Sequence, residues 1–301
     1  MTFEGVRPVL HLPFEAAGEQ RILDDELALE ARTMLAEGAD GLVVLGLASE
    51  AWTITDPERD RVVEIAADAC GTDVPLVVGL DGTTAVAVER ARRAARLGAA
   101  GFMTLPPRQA VGVDALIAHF GAIAEATGLP ILVQDSPQVT GVTLEVSTLA
   151  AIAVAVPLAA SVKSETPGAG TKASAIRAEG LELIAGWGGL SYLEQIDRGA
   201  QGCYPGCDLG PAFVAIDRYA RAGDRDTAVD RYRRILPYLS VATASLDLLL
   251  LTAKRHLRRR GIFSNEALRA PARTLDPRES ANVDALLDEL AELGTPGFDR
   301  V

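Results

Sequence analysis

The chain has 301 residues, of which 49% are hydrophobic and 23% charged, and its formal net charge is −12. That apolar content is too high for a disordered chain. The acidic balance argues against nucleic acid or an anionic membrane as a partner, because either would repel it.

In chain order, short apolar runs alternate with longer amphipathic ones. The short runs cover 8–12, 41–46, 75–80, 101–105, 130–134, 160–163, 182–186 and 201–204. They are mostly continuous in hydrophobicity rather than alternating, as parallel strands covered on both faces must be. Helical patterns lie between them. Thr55-Asp56-Pro57-Glu58 supplies a cap, a first-turn proline and acidic residues at a helix start. Residues 89–97 read as a helix surface ending at Gly98, and Thr127-Gly128-Leu129-Pro130 as a helix stop before a strand. About eight strand–helix units predict an α/β fold, a (β/α)8 TIM barrel, rather than an open sheet. From about Pro211 no strand is evident. Residues 209–222, 225–240, 242–260 and 281–293 read as helices, and the prolines of 270–277 mark a loop. The expected division is a barrel over 1–222 and a C-terminal helical extension packed on it over 223–301.

Three cysteines cannot all pair, and the opening MTFEGVRPVL has no secretory pattern, so a reducing, cytoplasmic location is expected. Cys203 and Cys207 are poorly spaced for zinc, and no metal site is expected. No apolar run reaches the ~18 residues of a membrane span.

In such a barrel, chemistry belongs at the C-terminal ends of the strands. Lysine is scarce: Lys163, Lys172 and Lys254 are the three in the chain, and every other strongly basic residue is arginine. Lys163 ends the sixth strand after Ala159-Ala160-Ser161-Val162 and should be desolvated. Burial lowers a lysine pKa, and the ordinary value near 10.4 leaves only ~0.04% neutral amine at pH 7. Lys163 therefore reads as a Schiff-base nucleophile or as the ion-pair partner of Glu165, two residues on along the same face. Lys172 and Lys254 sit among polar neighbours in helical patterns and read as solvated. His11 reads as a core residue. Asp135 and Glu50 read as acids or bases, or equally as caps or ion-pair partners. Arg108 reads as a substrate-carboxylate ligand or a solvated rim charge. The turn Gly46-Leu47-Ala48-Ser49-Glu50 after the second strand could hold a carboxylate on backbone N–H groups.

These stretches carry a resemblance. Gly46-Leu47-Ala48-Ser49-Glu50 is followed by Thr53 and Glu58-Arg59. Then come Gln134-Asp135-Ser136-Pro137-Gln138-Val139-Thr140-Gly141, Val162-Lys163-Ser164-Glu165, and Arg198-Gly199-Ala200-Gln201-Gly202. In order and spacing, from about residue 5 to 265, the sequence resembles the dihydrodipicolinate synthase / N-acetylneuraminate lyase family. The resemblance implies a (β/α)8 barrel with a C-terminal helical extension, assembled as a homo-oligomer (dimer or tetramer). It also implies a Schiff base between Lys163 and pyruvate or another 2-keto acid.

The departures are specific. Leu47 and Ala48 stand where the family has a hydroxyl pair that binds the keto-acid carboxylate. Gln134 stands where it has a proton-shuttling tyrosine, and no tyrosine precedes Tyr192. Arg108 and Gln109 replace synthase aromatics, and Val139 replaces a synthase arginine. True dihydrodipicolinate synthase activity is not expected. Val-Gln-Asp-x-Pro with Val-Lys-x-Glu-Thr-Pro looks more like a branch that includes 2-keto-3-deoxy sugar acid dehydratases. The expected function is a lyase that dehydrates or cleaves such a compound through a lysine imine, without metal or other cofactor. Lys163, Gln134 and Glu165 are the expected catalytic group. Gly46, Ala48, Ser49, Arg108, Asp135 and Gly186 are the expected substrate contacts. The competing expectation is an inactive barrel that keeps the lysine as a keto-acid sensor or scaffold.

Overall fold

The structure is a computed structural model that describes residues 2–108, 110, 112–166 and 169–297. Gln109 and Pro167-Gly168, singled out in the sequence, lie outside these residues.

Eight parallel strands form one sheet: β1 (Gly5–Val6), β2 (Leu42–Val44), β3 (Leu76–Leu80), β4 (Gly101–Thr104), β5 (Ile131–Asp135), β6 (Ser161–Ser164), β7 (Glu182–Ala185) and β8 (Gly202–Cys203). Their spatial order is β1-β8-β7-β6-β5-β4-β3-β2. Val9 closes the ring, because it bridges both Val43 and Gly206. Leu10 N–H donates to Val43 O at 2.8 Å and Val43 N–H to Pro8 O at 3.0 Å. The sheet is thus a closed barrel. The first run was expected at 8–12, whereas the regular ladder there is Gly5–Val6 and residues 9–10 contribute the closing contacts.

The helices on the outside follow the chain: α1 (Asp24–Ala36), α2 (Asp56–Cys70), α3 (Thr84–Arg96), α4 (Val113–Thr127), the short α5 (Pro137–Thr140), α6 (Val146–Ala155), α7 (Ala169–Ala178), α8 (Tyr192–Asp197) and α9 (Gly210–Arg221). The start of α2 is fixed as its sequence predicts: Thr55 N–H donates to Glu58 Oε2 at 2.8 Å. Gly128 stops α4 in the left-handed conformation (φ 67°) that glycine adopts without strain.

Among the described residues, three further helices come after the barrel: α10 (Arg225–Ala242), α11 (Leu246–Arg259) and α12 (Pro277–Glu292). The helix expected from 242 begins at 246, because the Ser245 side chain caps it by accepting from Leu248 N–H. The helix expected from 281 begins at 277, capped by Asp276. Tyr232, Ile235, Leu239, Val283, Leu287 and Leu290 bury an apolar face against Tyr192, Phe213 and Ile216. Among the described residues, no helix is long and apolar enough to cross a membrane.

Strand alternation sorts side chains inward and outward. Val9, Val43, Val77, Met103, Leu132, Ile184 and Tyr204 form one buried cluster in the barrel interior. A second, larger set, including Phe102, Ile131, Val133 and Val162, packs against the helices. Most strands bury apolar side chains on both faces, which is why they read as continuous runs; β5 and β6 depart from this only toward their C-terminal ends and at Ser161. The parity puts Gln134, Lys163 and Ile184, partners in register, on the inner face.

Candidate active site

Lys163 lies in the last turn of the interior before the C-terminal mouth, and its side chain is only 5% exposed. Nζ is 2.9 Å from Glu165 Oε1. Four further hydrogen bonds fix Glu165. Gln134 Nε2 donates to Oε2 at 2.9 Å, and Trp187 N–H donates to Oε1 at 2.9 Å. Glu165 N–H donates to Asp135 O, and Gln138 Nε2 donates to Glu165 O, so the backbone is pinned as well. Burial pushes the Glu165 carboxyl up. The Lys163 charge and the donors Lys163, Trp187 N–H and Gln134 more than offset that, and hold it below its ordinary value. Lys163, Gln134 and Glu165 therefore form one buried, connected group.

Gly186 explains how Glu165 fits. A Cβ at Gly186 would fall 2.4 Å from Glu165 Cγ and 2.6 Å from Oε1. The glycine makes room for the carboxylate. The next residue, Trp187, holds φ 50°, a left-handed conformation that costs a bulky residue on the order of 1 kcal/mol or more. Its strained backbone aims the N–H at Glu165. Among the described residues the other non-glycine positive φ values are at Gln20, Leu45 and Glu50, and the last two flank the turn after β2.

That turn, residues 47–49, is one 3-10 turn laid on the interior cluster through Ala48. Gly46 lets it approach, since a Cβ there would meet Val9 Cγ1 at 2.9 Å and Met103 Cε at 3.1 Å. Ser49 is fully buried. Its hydroxyl donates to Leu10 O at 2.6 Å and its N–H to Gly46 O at 3.1 Å. Both Ser49 donors are thus committed within the fold. Leu47 and Ala48 open the turn, so their N–H groups have no carbonyl of the turn behind them and can face a ligand.

Asp135 is not brought to Lys163. It follows Gln134 on β5, so it points to the opposite face. Its Oδ2 is 2.5 Å from Lys172 Nζ and accepts from Thr166 Oγ1 at 2.6 Å, and its Oδ1 accepts from Leu144 N–H at 3.4 Å. This corrects two expectations: Asp135 holds the loop after β6 rather than substrate, and Lys172 is a partly buried ion-pair partner, 14% exposed, rather than a solvated lysine. Lys254 is corrected likewise. It is fully buried on α11 and ion-paired with Glu50. The partner acids are remote in sequence, so local pattern gave no signal for either pair.

Arg108 is at the rim. Its Nη2 donates to Val139 O at 2.7 Å, and with Asp81, Thr83, Leu105 and Thr140 it lines a pocket of about 250 Å³ over the ends of β3, β4 and β5. His11 is a core residue as expected, with Nδ1 3.2 Å from Glu30 Oε1. Sequence spacing did not reveal that Cys207 lies beside this pair, the three ligand-type atoms falling within 4.8 Å of one another.

Fold and site define an α/β barrel whose C-terminal mouth carries a buried lysine in contact with a carboxylate. The chain belongs to the dihydrodipicolinate synthetase family, whose model matches residues 2–290. It is 32% identical over 298 residues to L-2-keto-3-deoxyarabonate dehydratase of Azospirillum brasilense, covering 96% of this chain and 95% of that one. It is also 32% identical over 288 residues to 4-hydroxy-tetrahydrodipicolinate synthase of Kineococcus radiotolerans, covering 94% and 90%. The crystal structure of dihydrodipicolinate synthase from Rhodopseudomonas palustris superposes with a TM-score of 0.87 at 25% identity, covering 95% of this chain and 97% of that one.

Proposed function

We propose that this chain is a lyase that binds a 2-keto acid as an imine on Lys163 and dehydrates or cleaves a 2-keto-3-deoxy sugar acid. The observation that carries this reading is the Lys163 Nζ–Glu165 Oε1 contact of 2.9 Å in a buried interior. An ammonium cannot attack a ketone, and Glu165 stands where it can take the proton. The neutral amine then adds to C2. Glu165 returns the proton to the carbinolamine oxygen, which leaves as water, and the iminium remains. The iminium draws electrons from the C3–H bond. Loss of that proton with departure of the C4 hydroxyl gives dehydration; breaking C3–C4 instead releases pyruvate. The imine is its own electron sink, so the sequence as written uses no metal or organic cofactor.

Gln134 does not titrate, and in this mechanism it orients Glu165. The 32% identity to a 2-keto-3-deoxyarabonate dehydratase supports the dehydratase branch. The synthases among the relatives support the broader keto-acid chemistry. Assembly as a dimer or tetramer belongs to the same proposal and is read by sedimentation.

Borohydride trapping tests the reading. The protein is incubated with pyruvate or a panel of 2-keto-3-deoxy sugar acids, reduced, and mapped by peptide mass. The expected result is a reduced adduct on Lys163 and turnover of at least one sugar acid. No adduct on Lys163 with any keto acid overturns the mechanism. An adduct without turnover favours the sensor reading, which the resting Lys163–Glu165 ion pair would also permit.

A further inference from the structure

Glu50 ends the turn that would receive the substrate carboxylate, and it is held from the other end of the chain. Its backbone is left-handed (φ 49°, ψ 34°) and its side chain is 2% exposed. One carboxylate oxygen pairs with Lys254 Nζ of α11, and the other accepts Arg269 N–H at 3.2 Å. Lys254 also donates to Ala267 O at 2.8 Å. Phe14 lies between the two cationic residues, its ring centre 4.6 Å from Lys254 Nζ and 4.5 Å from Arg269 Cζ. Arg269 continues to Glu58 on α2, with Nη2 2.8 Å from Oε1, so the tie reaches the helix that follows the turn.

Nothing in the proposed chemistry uses this buried pair. A lysine and a glutamate, both almost fully desolvated, are costly to maintain unless they fix something. What they fix is a turn without side-chain hydroxyls at Leu47 and Ala48, and with both Ser49 donors engaged elsewhere. A carboxylate can be held there only by main-chain N–H groups, whose place is set by the backbone alone. We propose that Lys254, together with Arg269, is a positioning residue. Through Glu50 it fixes the 47–50 turn so that the Leu47 and Ala48 N–H groups meet the substrate carboxylate. The inference rests on the Schiff-base reading above.

The test compares pyruvate with methyl pyruvate, which carries the same ketone but no carboxylate charge, in borohydride trapping of Lys163. Wild type is set beside the double variant Glu50→Gln/Lys254→Met, which removes both charges together. The expected result is a half-saturating pyruvate concentration raised about tenfold or more, with the rate at saturation within about threefold. Methyl pyruvate trapping should change little, so the preference for pyruvate collapses. A purely structural role would depress both ketones alike. Should the double variant fail to fold by circular dichroism, Glu50→Gln alone carries the same readout, because buried Lys254 can release its proton. A folded variant whose pyruvate preference stays within twofold of wild type overturns the inference while leaving the imine intact. Failure of wild type to form any Lys163 adduct overturns both.

Discussion

Gln134 gives its Nε2–H to Glu165 Oε2 while Lys163 takes the other oxygen, so one buried carboxylate joins the two residues and Gln134 grips the proposed base. Gln134→Leu removes that donor. A donor to a carboxylate favours its charged form, so the Glu165 carboxyl should rise when it is lost. If ionised Glu165 takes the lysine proton, the acid limb of the kcat/KM pH profile moves to higher pH. An unmoved acid limb would rule out Glu165 as that base.

Gly186→Ala should cost activity far more than stability. The backbone there, φ −125° and ψ −157°, admits alanine. The new methyl group would displace Glu165 from Lys163. Loss of general acid–base assistance predicts a fall in kcat of about 10²-fold or more. The melting temperature should fall by only a few degrees. Steady-state kinetics and a thermal melt on the same preparation check both halves.

Lys172→Met leaves the buried Asp135 carboxylate without its cation. Breaking such a pair from one side costs about 3 kcal/mol, and Asp135→Asn/Lys172→Met should recover most of it. Urea unfolding of wild type and the two variants measures this. Equal stability in the single and double variants would remove the pair from the account.

Stability should fall on mild acidification. Burial holds His119 down at about 4 and His256 down at about 3. In the unfolded chain both titrate near 6.5. Between about 6.5 and 4 the unfolded state therefore binds more protons, so stability declines as pH falls through that window. Glu58 has the opposite charge type: the Arg269 hydrogen bonds hold it at about 2, against desolvation. Its contribution is present above the unfolded carboxylate value of ~4.3 and is lost as pH falls toward 2. Thermal melts from pH 7.5 to 3.5 should show a decline that begins near 6.5. His119→Gln should flatten its upper part by on the order of 1 kcal/mol.

The barrel was legible because burial on both faces makes most strands continuous apolar runs; their edges shifted by a residue or two, except at the first, where the regular ladder is Gly5–Val6 rather than 8–12. Lys163 was legible for the same reason: a lysine ending such a run has few neutral explanations. Lys172 and Lys254 were not. Polar neighbours in sequence suggest a wet helix face, but Thr252, Lys254 and His256 on α11 are all buried, because other elements cover that helix on more than one side. Asp135 as a substrate contact was misread because its ion-pair partner, Lys172, comes from α7, 37 residues on. Gly186 was read as a substrate contact; that its missing side chain also leaves the volume Glu165 occupies is something no local pattern reports.

All three lysine side chains are 14% exposed or less. The surface therefore presents guanidinium groups and almost no lysine amine. Reagents that couple to amines, such as succinimidyl dyes or immobilisation resins, will find few lysine handles. Conversely, a small electrophilic carbonyl that enters the barrel mouth meets one lysine against a nearly blank background, which makes the intact protein a selective substrate for covalent probes aimed at Lys163.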